Sequence, residues 1–199
     1  MPPLVCIVDD EDLPRKFVQD LLESHGFAVR SFASAEELLA KYDESAIDCI
    51  VTDLRMPGID GLQLQQRLKA SGTVVTVIVL SGAADVPTAV KLMENGAVTL
   101  LPKPFPSVDL ISAVRRSVQI TQERRKMQNK LRTLQRSLEQ LTDEERAVLD
   151  CMLAGLTNKG TALKLALSMR TLNRRRLAVF TKMAVQSSTE LATLMAELR

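Results

Sequence analysis

The stretch VVTVIVL at residues 74–80 is apolar at six of its seven positions and carries no charge. A strand that is apolar throughout is typical of a parallel sheet covered on both faces. Four further short apolar runs lie in the first hundred or so residues: Leu4–Val8, Val29–Phe32, Ile47–Val51 and Val98–Leu101. Because parallel strands need crossover connections, these runs predict an α/β domain with a doubly wound, five-stranded parallel sheet.

Amphipathic segments between the apolar runs predict the crossover helices. Apolar residues recur at helical spacing after the first and third runs, and Ser34 with Glu37 predicts the capping box of a second helix. A fourth helix is predicted at residues 85–96. A fifth begins near Ser107 and meets no helix breaker before Leu141, so it is long.

The net charge of +2 hides a division between the two halves of the chain. Residues 1–106 carry 9 Lys and Arg against 15 Asp and Glu, which gives −6, whereas residues 107–199 carry 17 against 9, which gives +8. A basic half joined to an acidic half indicates that the second half binds a polyanion, most simply nucleic acid.

Composition also predicts where the protein works. Cys6, Cys49 and Cys151 lie in apolar runs without metal-ligand spacing, so we expect buried, reduced thiols. No signal peptide is recognisable, and the longest apolar stretch is too short to span a bilayer. We therefore expect a cytoplasmic protein without a membrane partner.

Polar residues follow four of the five predicted strands. Asp9 and Asp10 follow the first, Asp53 the third, Ser81 the fourth and Lys103 the fifth. Ligands of open parallel sheets bind at the carboxyl ends of the strands, so these five side chains are predicted to meet on one rim.

Three carboxylates on one rim repel one another and call for a divalent cation, and oxygen ligands of this kind suit Mg²⁺. The set fits phosphoryl transfer. Asp53 would be the nucleophile that becomes an acyl phosphate, and Lys103 and Ser81 would hold the phosphoryl oxygens.

Four motifs carry a family resemblance: VDDE at residues 8–11, TDLRMPGIDG at 52–61, LSG at 80–82 and PKPF at 102–105. Together they resemble the receiver domain of two-component response regulators over residues 4–118. The resemblance implies a flavodoxin-like fold. It also implies a phosphoacceptor with at most slow self-dephosphorylation, rather than an enzyme.

The resemblance assigns roles to the rim residues. Asp53 would accept phosphate from a sensor histidine kinase, Ser81 would be the switch hydroxyl, and Lys103 would sense the phosphate. The Mg²⁺ ligands would be Asp10, Asp53 and the Arg55 backbone carbonyl, with Asp9 assisting. One position departs from the family pattern, because Leu100 stands where a switch aromatic is usual, and this puts the conventional relay from Ser81 in doubt.

The second half is predicted to form a small all-α domain of four short helices. Their starts and stops are marked by Thr142 with Glu145, Gly155, Asn158, Ser168, and Ser187 with Glu190. The third helix, Met169–Met183, is amphipathic. Its inward residues are predicted to be Leu172, Ala178, Val179 and Met183, and its outward residues Asn173, Arg174, Arg175, Arg176 and Lys182. Such a cationic helix suits the major groove of duplex DNA.

The segments LTDEERAVL at 141–149, AGLTNK at 154–159 and SMRTL at 168–172 resemble the LuxR-type helix-turn-helix domain. With the receiver, they resemble the FixJ/NarL class of response regulators. The class implies transcription control by a homodimer on duplex DNA. Base edges would be reached by Asn173, Arg174 and Leu177, and phosphates by Lys159, Arg170, Thr171, Arg175 and Lys182.

Two positions of this domain depart from the class. Gly160-Thr161 replaces an acidic and a β-branched residue and should weaken the second helix, because Gly costs about 1 kcal/mol against Ala. Arg175 stands where histidine is frequent, which could change the sequence preference.

The chain is predicted to divide into a receiver at 1–118, a helical linker at 119–141 and a DNA-binding domain at 142–199. From Ile120 and Arg124 onward the linker carries a heptad pattern that predicts a dimer seam: Met127, Leu131, Leu134, Leu138 and Leu141. The alternative is that this helix packs its leucines on its own domain.

The sequence also allows three alternative functions. An aspartate-nucleophile phosphatase also uses an Asp and Mg²⁺, but usually carries an acid two residues beyond the nucleophile, where this chain has Arg55. A second alternative is that the carboxyl-terminal domain binds RNA or a protein partner. A third is DNA binding that ignores phosphorylation.

Overall fold

The computed structural model describes residues 1–41, 46–82, 90, 92 and 99–196. They form two compact units, Met1–Arg125 and Lys126–Arg199. Elements are labelled in chain order among those described in full. The predicted fourth helix and the start of the fifth strand, residue 98, lie largely outside the described residues. Within those residues, no helix is both long and apolar enough to cross a membrane.

The first unit contains a five-stranded parallel sheet in the order β2-β1-β3-β4-β5. The strands are β1 (Leu4–Val8), β2 (Ala28–Phe32), β3 (Cys49–Asp53), β4 (Thr76–Ser81) and β5 (Thr99–Pro102). The first three helices are α1 (Asp12–Ser24), α2 (Ala35–Lys41) and α3 (Gly61–Ala70). The predicted doubly wound α/β fold is confirmed.

The core lies on both faces of this sheet because successive strand residues point to opposite sides. In β1, Cys6 and Val8 belong to one apolar cluster, and Val5 and Ile7 belong to the other. All six residues of β4 are buried, as the apolar stretch predicts. Burial raises the pKa of Cys6 and of Cys49 to about 12, so these thiols stay protonated.

The long helix α4 spans Ser107–Glu139. Polar residues tie its middle to the amino-terminal edge of the sheet. The Thr76 hydroxyl lies 2.9 Å from the Thr121 hydroxyl, and Arg125 pairs with Asp48 at 3.1 Å. Residues of the helix beyond the predicted boundary at 118 therefore still belong to the packing of the first unit.

The second unit contains four short helices, as predicted: α5 (Asp143–Leu153), α6 (Asn158–Lys164), α7 (Met169–Lys182) and α8 (Ser188–Ala196). The Thr142 capping box and the Ser168 cap are present. The cap of α6 is Thr157 rather than Asn158, which is the first helical residue. A Cβ on Gly160 would lie 3.4 Å from the Thr157 hydroxyl, so no steric contact demands glycine there.

The structure corrects the predicted dimer seam. Leu134 and Leu141 are buried in the core of the second unit, and Leu138 packs against the same cluster, which includes Val179 and Leu191. A heptad pattern and a helix that packs on its own domain have nearly the same period. Leu134, Leu138 and Leu141 therefore pack within one chain, whereas the exposed Met127 and the half-buried Leu131 lie outside this cluster.

Candidate phosphorylation site and nucleic-acid interface

The carboxyl ends of the central strands bring the predicted rim residues together. Asp53 ends β3, Ser81 ends β4, and Lys103 follows β5 directly. The Lys103 backbone N–H donates a 2.7 Å hydrogen bond to the Ser81 carbonyl, which continues the ladder one residue beyond the strand. Strand pairing alone therefore places the three residues on neighbouring strand ends.

Lys103 bridges two carboxylates at this rim. Its Nζ lies 2.5 Å from Asp53 Oδ1 and 3.2 Å from Asp9 Oδ2. The two carboxylates are only 12% and 4% exposed, so solvent screens them poorly. Partial burial alone would lower the pKa of Lys103. The hydrogen bond and charge of Asp53, together with the charge of Asp9, outweigh that effect and raise the pKa above 10.5, so the ammonium stays charged.

Backbone groups hold the carboxylates in place. Asp53 Oδ2 accepts a 2.7 Å hydrogen bond from the Arg55 N–H, and Asp9 Oδ1 accepts one of 2.9 Å from the Glu11 N–H. Asp10 is exposed and takes no part in these contacts among the described residues. Nor do the described residues contain a group of three or more acidic, Cys or His side chains close enough to hold a metal ion.

The Ser81 hydroxyl is one of four buried side-chain polar atoms without a hydrogen-bond partner among the described residues. The residue is 3% exposed, and its Oγ is fully buried. A buried polar group without a partner is costly and rare in folded proteins. Its position at the end of β4, beside β3, puts this hydroxyl next to the strand that carries Asp53.

Two residues that the sequence analysis missed shape the loop after Asp53. A Cβ on Gly61 would lie 2.4 Å from the Asp53 carbonyl oxygen, so only glycine fits there. Glu36 Oε1 accepts a 2.9 Å hydrogen bond from the Ile59 N–H and so ties α2 to this loop. The Gly-Ile-Asp-Gly segment at 58–61 was a signal for Gly61, whereas nothing local pointed to Glu36.

Leu100, at the position of the switch aromatic, is half-buried and packs against one core face of the sheet. An apolar side chain in such a contact gains little by turning outward.

Helix α7 presents four of the predicted DNA-contacting residues on one exposed face. Arg170, Asn173, Arg174 and Leu177 follow the spacing i, i+3, i+4, i+7, and all four are exposed, Leu177 by 67%. Lys159 in α6 is exposed as well, whereas Thr171 is half-buried with its hydroxyl 2.9 Å from that of Ser168.

Three cations of α7 are predicted to point outward, and the structure contradicts this. Arg175, Arg176 and Lys182 are half-buried, because they share the helix face of the buried Leu172 and Val179. Lys182 Nζ lies 2.6 Å from Glu145 Oε2, and Arg175 lies 4.0 Å from Glu144. Lys182, predicted to reach a phosphate, is thus engaged within the domain.

Comparison with known families accounts for both units. Residues 5–115 match the response regulator receiver domain, and residues 139–195 match the bacterial regulatory proteins of the luxR family. The chain is a response regulator of the FixJ/NarL class. The transcriptional regulatory protein FixJ of Azorhizobium caulinodans is 41% identical to this response regulator over 94% of the chain and 89% of its own length.

Further relatives agree. The response regulator protein TodT of Pseudomonas putida is 34% identical over 94% of this chain and 83% of its own. The solved structure of response regulator StyR matches with a TM-score of 0.91 and 32% identity over 99% of this chain and 100% of its own. Full-length FixJ from B. japonicum matches with a TM-score of 0.59 and 32% identity over 98% and 96%.

These similarities establish the function in outline. The response regulator is a phosphorylation-controlled, DNA-binding transcriptional regulator. Its receiver implies that a sensor kinase is a partner, and its luxR-family domain implies that it binds DNA.

Proposed function

We propose that Asp53 is the phosphoacceptor of this response regulator and that Lys103 and Ser81 bind the phosphoryl group it receives. The observation that carries the proposal is the bridge from Lys103 to Asp53 and Asp9, with the Ser81 hydroxyl, which has no partner among the described residues, at the end of the next strand. Lys103 contacts the Asp53 carboxylate, and Ser81 lies at the end of the neighbouring strand; a cation and a hydroxyl donor beside such a carboxylate would stabilise charge on a transferred phosphoryl group.

The transfer itself forms one bond and breaks another. A carboxylate oxygen of Asp53 bonds to phosphorus while the bond from phosphorus to the donor's nitrogen or oxygen breaks. Lys103 then exchanges its contact with Asp53 Oδ1 for a phosphoryl oxygen, and the Ser81 hydroxyl donates to another. The phosphoryl group would thus give Ser81 a hydrogen-bond acceptor that it does not have among the described residues.

We propose Mg²⁺ as the cofactor of this step, because the donor set consists of hard oxygen ligands. The ligands would be Asp10, Asp53 and the Arg55 carbonyl, with Asp9 assisting. When bound, Mg²⁺ would neutralise charge on the transferred phosphoryl group. Receivers in general use this ion. The protein would turn over no substrate beyond slow loss of its own phosphate, since Arg55 cannot act as the general acid of a phosphatase.

The face beside the rim fits the approach of a kinase. Leu13 and Phe17 are 84% and 56% exposed, and with Lys103 and Phe105 they line an open cavity of about 460 Å³. Phe17→Ala should slow transfer from the cognate kinase about tenfold or more, as for an apolar anchor of an interface. Labelling by acetyl phosphate should be unchanged. Equal slowing with both donors would place the defect in the site instead.

We propose that the exposed face of α7 enters the major groove of DNA. Asn173 and Arg174 would reach base edges, with Leu177 on a thymine methyl group, and phosphates would be contacted by Lys159, Arg170, Thr171 and Arg175. Arg174→Ala should cost about 1–3 kcal/mol and relax base choice at one position of the site. Selection from randomised duplexes would measure this, and an unchanged preference would refute the role of Arg174.

We also propose that phosphorylation produces the homodimer. Met127 and Leu131 alone are too few for a stable coiled coil, so the receiver would supply the contact, through a surface that includes the exposed Val108. Sedimentation velocity with Mg²⁺ should show a monomer that becomes a dimer when beryllofluoride is added. A dimer in both states would instead mean that the linker helix holds two chains together permanently.

The remaining expectations follow from these roles. The predicted boundaries at residues 118 and 141 would mark where the linker helix begins and ends, although the packing of Thr121 and Arg125 extends the first unit to residue 125. The protein would act in the cytoplasm, because its DNA target is there and its described cysteines are free and buried.

A further inference from the structure

Four of the five cations of α7 form two groups with different surroundings. Arg170 and Arg174 are exposed on the face proposed to bind DNA. Arg176 and Lys182 lie on the opposite, half-buried face with Leu172 and other apolar residues. A charged group on a face that packs against protein must find partners there, because an unpaired charge away from water is costly.

Lys182 finds its partners at the start of α5. Its Nζ donates to Glu145 Oε2 at 2.6 Å and to the Gln140 carbonyl at 3.0 Å. The same Glu145 oxygen accepts the Thr142 N–H at 2.9 Å as part of the capping box. Glu145 therefore joins the first turn of α5 to the last residue of α7.

The ammonium of Lys182 stabilises the charged form of the Glu145 carboxylate. The hydrogen bond from Lys182, with that from the Thr142 N–H, holds the pKa of Glu145 below its ordinary value. The Glu145 side chain is 12% exposed and that of Lys182 is 30% exposed. Solvent therefore screens this pair less than it screens a surface ion pair.

Arg176 makes the corresponding connection to α6. Its Nη1 donates a 2.6 Å hydrogen bond to Asn158 Oδ1, in the first turn of α6, and its guanidinium lies 5.6 Å from the centre of the Phe180 ring. Asn158 precedes Lys159, which is exposed and proposed to contact a phosphate. Arg176 thus links α7 to the segment that carries another DNA contact.

We propose that Arg176 and Lys182 are positioning residues that fix the orientation of α7, through Asn158 and Glu145, and contact no DNA themselves. This inference rests on the proposed role of α7 in reading DNA. It deepens that role by dividing the cations of the helix into those that contact DNA and those that fix the position of α7 within the domain. The charge that α7 offers to phosphates is then smaller than its five cations indicate.

Salt dependence separates the two groups. Each phosphate contact contributes about 0.9 to the slope of log affinity against log salt concentration. The experiment uses the full chain with Mg²⁺ and beryllofluoride, a duplex selected by the wild-type chain from a random library, and a scrambled duplex of equal length. Arg170→Met is the matched control on the exposed face of the same helix.

Lys182→Met should lower affinity for the selected duplex by about three-fold to thirty-fold, as expected for loss of one member of an interacting pair. Its salt slope should equal that of the wild type. Affinity for the scrambled duplex should change little, whereas simple loss of folded protein would lower both affinities equally. Arg170→Met should make the slope shallower by about 0.9 for each phosphate that the variant no longer binds.

For Glu145→Gln, the two possible roles of Lys182 predict opposite changes in DNA binding. If Glu145 holds Lys182 in place, the variant loses discrimination between the two duplexes as Lys182→Met does, and the double variant is little worse than either. If Lys182 instead binds a phosphate, removing its competing carboxylate leaves discrimination intact and raises affinity. Asn158→Ala tests the Arg176 connection in the same way, without touching a buried side chain.

A shallower slope for Lys182→Met, or higher affinity for Glu145→Gln, would overturn the proposal. Should Lys182→Met fail to fold by circular dichroism, Glu145→Gln and Asn158→Ala decide the matter. Should Arg170→Met and Arg174→Ala both leave affinity and slope unchanged, the error lies in the proposed DNA-reading role of α7.

Discussion

Replacing Asp53 by Asn is expected to abolish phosphate uptake from acetyl phosphate and from the kinase. The amide has nearly the shape of the carboxylate but is a far weaker nucleophile, and an acyl phosphate needs a carboxylate oxygen that can form a mixed anhydride with phosphorus. Lys103 would lose the 2.5 Å contact but keep Asp9 at 3.2 Å. The site should therefore keep its geometry but lose the ability to accept a phosphoryl group.

Intact-protein mass spectrometry after incubation with acetyl phosphate and Mg²⁺ measures this directly. Asp60→Asn is the matched control, since it makes the same chemical change seven residues later in the chain. Asp60 caps α3 by accepting the Gln63 N–H at 2.8 Å, and Asn is an equally good cap. The control should take up phosphate at the wild-type rate. Labelling of Asp53→Asn at that rate would show that another carboxylate is the acceptor.

The placement of the rim residues could be predicted because it depends on backbone topology. An apolar run such as 74–80 predicts a buried parallel strand, and the residue after each strand must lie at the same edge of the sheet. Asp9, Asp53 and Lys103 meet for this reason. The contribution of Asp10 did not follow in the same way, because an exposed side chain is not positioned by strand pairing.

The orientation of charged helical residues was harder to predict. From the sequence, Arg175, Arg176 and Lys182 are predicted to point outward from α7, although their spacing from Leu172 and Val179 is that of a shared face. Long cationic side chains can reach solvent or an internal partner from a boundary position. The partners Glu145 and Asn158 are distant in sequence. Only the structure of the domain therefore shows whether each cation reaches solvent or an internal partner.

The linker leucines show a similar limit. A seam between two chains and the packing of one helix on its own domain require almost the same spacing of apolar residues. Leu134 and Leu141 met that spacing, and the structure buries both against the second unit. The alternative of intramolecular packing was visible in the sequence, but the choice between the two depends on how much apolar surface the domain offers.

Gly61→Ala is expected to damage both the stability and the chemistry of the receiver. Gly61 begins α3, and a Cβ there would lie 2.4 Å from the Asp53 carbonyl oxygen and 3.1 Å from the Leu54 Cα. These neighbours are backbone atoms of a central strand and the residue after it, so they cannot rotate away. Overpacking of this kind costs about 1–3 kcal/mol and moves backbone.

The displaced backbone would be that of the phosphoacceptor itself. A shift of Asp53 would lengthen its contact with Lys103 and its hydrogen bond from the Arg55 N–H, so phosphate uptake should slow by about tenfold to a hundredfold. Urea unfolding of the full chain and the rate of labelling by acetyl phosphate measure the two effects.

Gly72→Ala separates this steric effect from the cost of changing a glycine. Gly72 has a φ of +74° but no atom within 4 Å of a Cβ, so alanine there meets strained backbone without a clash. It should lose about 1 kcal/mol of unfolding free energy and keep the wild-type rate of labelling. If Gly61→Ala behaved like Gly72→Ala, the close approach of α3 to Asp53 would have no part in holding the phosphoacceptor.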